Sequence, residues 1–255
     1  MRIDGAKGMV VGGASGMARA TAEMLVRAGA RVAILDRDVA KGEEAAAEIG
    51  GGTRFYVCNV TDFAGTEAAV TRAADDLGAL HFGVNTAGGG IAKRTLTKDG
   101  PHPLDEFRAV IDLNLVASFN VARLHAALMA RNDADENGER GVILMTASIA
   151  AFEGQIGQVA YSAAKAGIAG MTLTMARDLG SLGIRVMTIA PSLFHTGLTK
   201  GIPAQMEEAL TKDAAFPKRM GRPDEYGQMA IAIFENPMLN AFTIRLDGGQ
   251  RFAPR

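Results

Sequence analysis

Short apolar runs alternate with longer amphipathic stretches along almost the whole of this 255-residue chain, and that rhythm constrains its fold more than any other feature. A brief apolar run without polar alternation suits a strand buried on both faces. An intervening stretch with apolar residues three and four apart suits a helix that covers it. Strands are expected at 9–11, 31–35, 54–58, 82–85, 142–146, 185–189 and 243–246, and helices at about 18–28, 39–49, 63–77, 104–130, 160–179 and 223–235. Pro103 and Pro223 stand at two of those helix starts, where a missing N–H costs little. The repeat implies an α/β fold, a doubly wound (Rossmann) sheet of seven parallel strands with helices on both faces. The length suits one domain of this type over 1–255. Two irregular stretches interrupt the rhythm, 88–103 and 191 to about 217. Long loops in such domains are often functional, and the second, with Gly197, Gly201 and Pro203 around a short amphipathic piece, reads as a lid. The polar segment 132–140 reads as a connector whose charges are solvated.

A net charge of −1 and a pI near 6.4 provide no basic field for nucleic acid. Cys58 is the single cysteine, so neither an intrachain disulfide nor a cysteine metal cluster is available, and His81, His102, His125 and His195 lack close ligand spacing; no metal is expected. With neither a basic leader nor an apolar run of membrane-spanning length, the expectation is a cytoplasmic, soluble protein.

The run Val11-Gly12-Gly13-Ala14-Ser15-Gly16-Met17-Ala18 falls between the first strand and the first helix. Glycines there permit a tight turn and close approach of a pyrophosphate to a helix N-terminus. Asp36 ends the second strand, where a carboxylate accepts both ribose hydroxyls of an adenosine and repels a 2′-phosphate, which favours NAD over NADP; the adjacent Arg37 softens that repulsion. Asn59 and Val60 follow the third strand and Asn85, Thr86, Ala87 and Gly88 the fourth. Each of these is also plain turn chemistry when taken alone.

Tyr161 and Lys165 stand at i and i+4 on an expected helix, hence on one face, with Ser148 upstream. A phenol titrates near pH 10, and a neighbouring ammonium stabilises the phenolate and lowers that value. Such a trio suits proton transfer at an alcohol or ketone oxygen.

Together these residues resemble the short-chain dehydrogenase/reductase family over essentially the whole chain. The resemblance is carried by the glycine-rich turn, Asn85 to Gly88, Asn114, Ser148, Tyr161-Ser162-Ala163-Ala164-Lys165 and the segment 191–196, in family order. It implies Tyr161 as catalytic acid/base, and Lys165 as the residue that lowers its pKa and binds the nicotinamide ribose. Ser148 would hold the substrate oxygen, and Asn114 would anchor a water linking Lys165 to solvent. NAD contacts are implied for Ser15, Met17, Asp36, Asn59, Val60, Thr86, Pro191, Leu193 and Thr196, besides Gly12 and Gly16. Residues 146–162, 183–191 and 235–240, with the insertion 93–103, are similar to the type II 3-hydroxyacyl-CoA dehydrogenase group. That similarity implies hydride transfer between NAD(H) and 3-hydroxyacyl-CoA or 3-ketoacyl-CoA esters in fatty acid metabolism, and a homotetramer paired through the helices at 104–130 and 160–179.

The chain departs from the family at Val11 for threonine, Ala18 for the third glycine, Asn59 for aspartate and Ser192 for glycine. Ser192 and His195 fall where the substrate should enter, and His195 reads as a surface lid residue. Gln155, Ile156, Leu193, Phe194 and Leu198 are candidates to line the pocket, with Gln155 meeting substrate. Lys93, Arg94, Lys98, Lys200 and Lys212 on the long loops are candidates for nucleotide phosphates of an acyl-CoA. Two alternatives stand: a dehydrogenase of a hydroxysteroid or other secondary alcohol, and a non-catalytic NAD-binding protein that works through its oligomer surface. An intact Ser148, Tyr161, Lys165 and Asn114 set speaks against the second.

Overall fold

The apolar runs become strands whose inner residues are closed off on both faces, with Met9, Val10, Ile34, Leu35, Val84 and Leu144 essentially inaccessible. The structure is a computed structural model and describes residues 1–199 and 201–254, without the Leu198 side chain. Lys200 and the Leu198 side chain, both named above, therefore lie outside what is described. The chain runs β1 (Lys7–Val11), α1 (Gly16–Arg27), β2 (Arg31–Asp36), α2 (Val39–Ile49), β3 (Arg54–Val57), α3 (Phe63–Leu77) and β4 (Phe82–Asn85). A small hairpin, β5 (Leu96–Thr97) and β6 (Gly100–Pro101), comes next, then α4 (Leu104–Ile111), α5 (Ala117–Met129), β7 (Gly141–Thr146), α6 (Val159–Gly180) and β8 (Ile184–Pro191). The chain closes with α7 (Ala204–Thr211), α8 (Pro223–Glu235) and β9 (Thr243–Leu246).

Among the described residues, seven strands form one sheet in the order β3-β2-β1-β4-β7-β8-β9, every neighbouring pair parallel. The chain builds outward from β1 to β3, then crosses back to place β4 on the other side of β1. That reversal leaves a crevice beyond the carboxyl ends of β1 and β4, where open α/β sheets bind ligands. One face of the sheet packs residues such as Ala69, Val70, Ala73, Val121, Ala122 and Ile168 from α3, α5 and α6. The other packs Ala18, Ala22, Leu25, Tyr226, Ala230 and Phe234 from α1 and α8. The many alanines let these helices lie close to the sheet. No helix among the described residues is long and apolar enough to cross a membrane.

The seven expected strands and six expected helices are present, and the differences from expectation are local. The helix expected over 104–130 is interrupted by one π-helical turn at Asp112–Val116. The lid contains the regular helix α7, and the loop 88–103 contains the β5–β6 hairpin. The connector 132–140 is not simply solvated: the Glu139 carboxylate is buried and pairs with Arg185 Nη2 at 3.0 Å and with the Met1 amine at 3.1 Å. Arg185 also donates to the carbonyls of Ile233, Phe234 and Leu239, so its guanidinium is fully employed. Removing one partner of such a buried pair costs about 3–5 kcal/mol, because the other charge is left without compensation.

His125 on α5 is closed off against β4, and its Nε2 has no hydrogen-bond partner. Burial lowers its pKa from 6.5 to about 4. The unfolded chain therefore takes up a proton as pH falls through 6.5 while the folded chain resists until about 4. The stabilisation is whole above pH 6.5 and is lost on the way down to 4, a change of about 3 kcal/mol. Urea unfolding at pH 7 and pH 4.5 should show a smaller acid-induced loss in His125→Leu than in the wild type. Equal losses in the two proteins would rule His125 out as the source.

Candidate active site

Most candidate residues sit at or just beyond the carboxyl end of a strand, where the backbone leaves the sheet and polar groups can project into the crevice; Tyr161 and Lys165 come from α6 and Asn114 from the turn between α4 and α5. At the end of β1 the turn 12–15 leads into α1. A Cβ on Gly13 would stand 2.7 Å from Ile34 Cβ and 2.8 Å from the Val10 carbonyl oxygen, so only glycine permits the turn to lie this close to β2. Gly12 has φ +84°, a conformation glycine adopts without strain. Ser15 is the N-cap of α1, yet its side chain makes no capping bond, and the first turn carries no acidic residue. These free amides at the positive end of a helix suit an anion such as a pyrophosphate. Ala18, in place of a third glycine, is buried and accommodated. Thr196, from the lid, packs on the same turn, 3.2 Å from where a Gly16 Cβ would be.

Asp36 closes β2, and its carboxylate accepts from Ala14 N at 3.2 Å and from Asp38 N at 3.1 Å, which holds it beside the glycine turn. Asn59 is exposed, but its side-chain carbonyl already accepts from the Thr61 amide at 3.3 Å and hydroxyl at 2.9 Å. Val60 packs its side chain in the core, so only its backbone faces a ligand. The glycine turn, the uncapped helix start and the carboxylate together fit a dinucleotide.

Beyond β4, β7 and α6 lies the second half of the site. Ser148 follows β7, is nearly buried, and its Oγ accepts from Ala150 N at 3.2 Å. The Ser148 side chain also faces Tyr161, on the first turn of α6, closely enough to lower its proton affinity. Lys165, one turn further on, is buried; its Nζ donates to the Thr146 carbonyl at 2.9 Å and lies 5.6 Å from the centre of the Tyr161 ring. Burial lowers the ammonium pKa to about 8. From the sequence, Lys165 is expected to depress the Tyr161 pKa. In the chain alone burial prevails and raises it, with Ser148 opposing. The Lys165 ammonium is spent on a backbone carbonyl and lies over the Tyr161 ring.

Asn114 occupies the π turn, completely buried, and its amide donates to the carbonyls of Gly89 at 2.6 Å and Val110 at 2.8 Å while its oxygen accepts from Gly89 N at 3.1 Å. π turns recur at functional sites, where the extra residue redirects a side chain. Asn114 thereby fixes the loop after β4 over Lys165. Several contributors escaped the sequence reading. Thr146 donates from Oγ1 to the Asn85 carbonyl at 2.7 Å and shares a 2.7 Å hydrogen bond with the buried Tyr226 hydroxyl of α8. Asn85 in turn binds Ser118 and the Ala87 amide, which ties the ends of β4 and β7 to α5. Polar residues closing otherwise apolar strands were the available signal.

Other expected residues make contacts of their own within the chain. His195 is half exposed and pairs through Nε2 with Glu207 of α7 at 3.1 Å, as suits a lid residue. The Ser192 hydroxyl bonds the Gln250 side chain. Gln155 Nε2 donates to the Ala253 carbonyl at 3.2 Å. Phe194 is buried in the core against Gly221. Lys93 Nζ pairs with Glu106 at 2.7 Å, leaving Arg94 and Lys98 exposed on the same loop. Pro191 ends β8, and the Leu193 carbonyl accepts from Gly221 N at 2.9 Å. A cavity of about 520 Å³ opens between the glycine turn and the lid, lined by Gly16, Arg19, His195, Thr196 and Glu207 among others. It flanks the phosphate side and excludes Ser148, Tyr161 and Lys165. Among the described residues no group of three or more His, Cys, Asp or Glu is placed to hold a metal ion.

A Cβ on Gly88 would lie 2.6 Å from Asn114 Oδ1 and 3.3 Å from Lys165 Nζ. Gly88→Ala should displace both; where the displaced groups serve the reaction, kcat should fall about 10- to 100-fold, the order of loss that small misplacements carry. Overpacking here should also lower stability by about 1–3 kcal/mol; a Gly88→Ala protein with wild-type kcat and wild-type melting temperature would refute the close packing.

Residues 8–207 match the family model described as short chain dehydrogenase. The 3-hydroxyacyl-CoA dehydrogenase type-2 of Drosophila melanogaster is 47% identical over 254 residues, covering 99% of this chain and all of that protein. The crystal structure of 3-hydroxyacyl-CoA dehydrogenase type-2 from Mycobacterium avium superposes with a TM-score of 0.94 at 42% identity, covering 98% of each chain. A 7α-hydroxysteroid dehydrogenase complexed with NADH and 7-oxo glycochenodeoxycholic acid superposes with a TM-score of 0.87 at 27% identity, over 100% of this chain and 97% of that one. The fold, the crevice with its glycine turn, and these likenesses agree: the chain belongs to the short chain dehydrogenase family and is an oxidoreductase acting on CH–OH groups with a nicotinamide cofactor.

Proposed function

We propose that this chain interconverts 3-hydroxyacyl-CoA and 3-ketoacyl-CoA esters with NAD(H), with Ser148, Tyr161, Lys165 and Asn114 as its catalytic set. The observation that carries the reading is the grouping of Ser148, Tyr161 and Lys165 beside a turn built for a dinucleotide. Whole-length likeness to proteins named for 3-hydroxyacyl-CoA supports the substrate class. So do exposed apolar side chains on the two loops beside the site, Ile91 and Leu96 on one and Phe152 and Ile156 on the other; Lys93 N–H donates to the Gly157 carbonyl between these loops at 2.8 Å.

The nicotinamide cofactor supplies the hydride chemistry when bound. Gly12, Ser15, Gly16, Met17 and Thr196 would hold its phosphates, Asp36, Asn59 and Val60 its adenosine, and Asn85, Thr86, Ala87, Gly88, Pro191, Leu193, Tyr161 and Lys165 its nicotinamide half. Ser148 holds the substrate oxygen, and Tyr161 holds or moves the proton there. Because burial raises the Tyr161 pKa, its resting form in the chain is the phenol, which donates to a ketone oxygen. Taking a proton from an alcohol requires the phenolate, which the Lys165 ammonium favours; with a pKa of about 8 it is mostly charged at pH 7. Asp36 would select NAD by repelling a 2′-phosphate. Domain 1–255 acts as one NAD-binding unit with the lid at about 191–217.

Exposed Phe119 and Leu173, on α5 and α6, support pairing of those helices with a second copy in a homotetramer. The buried Cys58 suits the reducing cytoplasm. A hydroxysteroid is the second reading, favoured by the likeness to a 7α-hydroxysteroid dehydrogenase.

Tyr161→Phe should lower kcat by about 10²- to 10⁴-fold, the usual contribution of general acid–base catalysis, while NADH binding stays measurable by fluorescence. Near-wild-type turnover would sink the assignment. Asp36→Ala should shrink the ratio of kcat/KM for NAD over NADP, and an unchanged ratio would mean that another residue sets it. An NADH-absorbance screen of acetoacetyl-CoA, longer and branched acyl-CoAs, steroids and simple ketones should single out the CoA esters; a preference for steroids would transfer the reading to the second class.

A further inference from the structure

Residues 152–158 join the short 3₁₀ turn after Ser148 to the helix that carries Tyr161, so their position sets the opening between those two side chains. The last residues of the chain hold this loop from outside. Glu153 Oε1 pairs with Arg245 Nη1 at 2.5 Å and lies 3.7 Å from Arg251 Nε, while its Oε2 accepts from Phe252 N–H at 2.9 Å. Gln155 Nε2 donates to the Ala253 carbonyl, and the Ile156 amide to the Pro254 carbonyl at 3.1 Å. The Arg245 guanidinium also sits over the Phe152 ring, 5.5 Å from its centre. Asp247 completes the cluster, at 2.7 Å from Arg245 Nε and 3.2 Å from Arg251 Nη1. The side chains of Glu153 and Asp247 are only 20% and 8% exposed, so this is more than a solvated surface pairing.

The same tail grips the lid. Gln250 is buried, and its Nε2 donates to the Leu210 carbonyl on α7 at 2.7 Å while its Oε1 accepts from the Ser192 hydroxyl. The Gly248 carbonyl accepts from Phe216 N–H at 3.0 Å. A single short segment is thereby bonded to both walls that flank the site.

We infer that residues 247–254 form a strap that fixes the spacing of the Ser148–Tyr161 loop and the lid, and that this strap limits which substrates enter. Glu153, Arg245 and Gln250 are positioning residues in this arrangement: they hold loops and leave the reacting atoms to others. Loops tied at both ends of a strap open less, and closure of such loops governs substrate commitment. The kinetic consequence rests on the ketone and alcohol reading above; the mechanical one does not.

Two proteins test it, the chain without residues 251–255 and full-length Glu153→Gln, the second serving if truncation impairs folding. Hydrogen exchange should quicken about tenfold or more in 152–158 relative to β7 when local opening becomes easier. KM for acetoacetyl-CoA should rise several-fold, kcat/KM should shift toward longer or branched esters, and the NADH dissociation constant should stay unchanged. Unaltered exchange in 152–158 in both proteins would overturn the strap, and a loosened loop with an unaltered ester preference would overturn its role in selection. A full-length protein inactive on every ketone would defeat the functional reading instead, with the exchange measurement still deciding the strap.

Discussion

A lysine ammonium taken out of water is the constraint around which this site is arranged. Burying a charge costs several kcal/mol after relaxation unless hydrogen bonds and partners replace its hydration. Lys165 has one carbonyl, that of Thr146, and the face of the Tyr161 ring, and its lowered pKa records what remains of that cost. The surroundings are accordingly dense. Gly88 leaves no room for a methyl group between Asn114 and Lys165, and a Cβ on Gly90 would stand 3.0 Å from the Tyr161 ring. The π turn brings Asn114 to the loop that closes this space, where it bonds Gly89 through both its donor and its acceptor.

Rigidity behind the site comes from the sheet ends. Tyr226, reaching from the opposite face, meets Thr146; Thr146 meets Asn85; Asn85 meets Ser118. This buried polar chain is satisfied link by link, the condition under which such networks specify structure instead of weakening it. In front of the site the arrangement differs. The loops there are held by contacts from residues 245–254, through an ion cluster in which Glu153 and Asp247 are largely buried.

Most of the architecture was legible in the chain because period and punctuation agree. Apolar runs such as Val142 to Thr146 cannot alternate faces and must be buried on both. The glycine turn and Asp36 were legible for a similar reason, since a backbone approaching β2 within contact distance demands Gly13. The π turn was not, because one additional residue in a long amphipathic helix barely disturbs its apolar stripe. Nor was the burial of Glu139: a carboxylate among NDADENGER looks solvated until Arg185, far along the chain, is placed beside it.

Residue types and local spacing by themselves determined the seven strands, the covering helices and the glycine turn, since each depends on neighbours within a turn or a strand end, while the Ser148, Tyr161 and Lys165 trio was legible only together with the wider family resemblance. Tertiary structure alone decided where the side chains of Gln155, Ser192 and His195 go, which they spend on the tail, on Gln250 and on α7. It also decided that burial raises the Tyr161 proton affinity. Desolvation and direction of approach are properties of a three-dimensional surrounding, and the spacing of two residues along a helix carries neither.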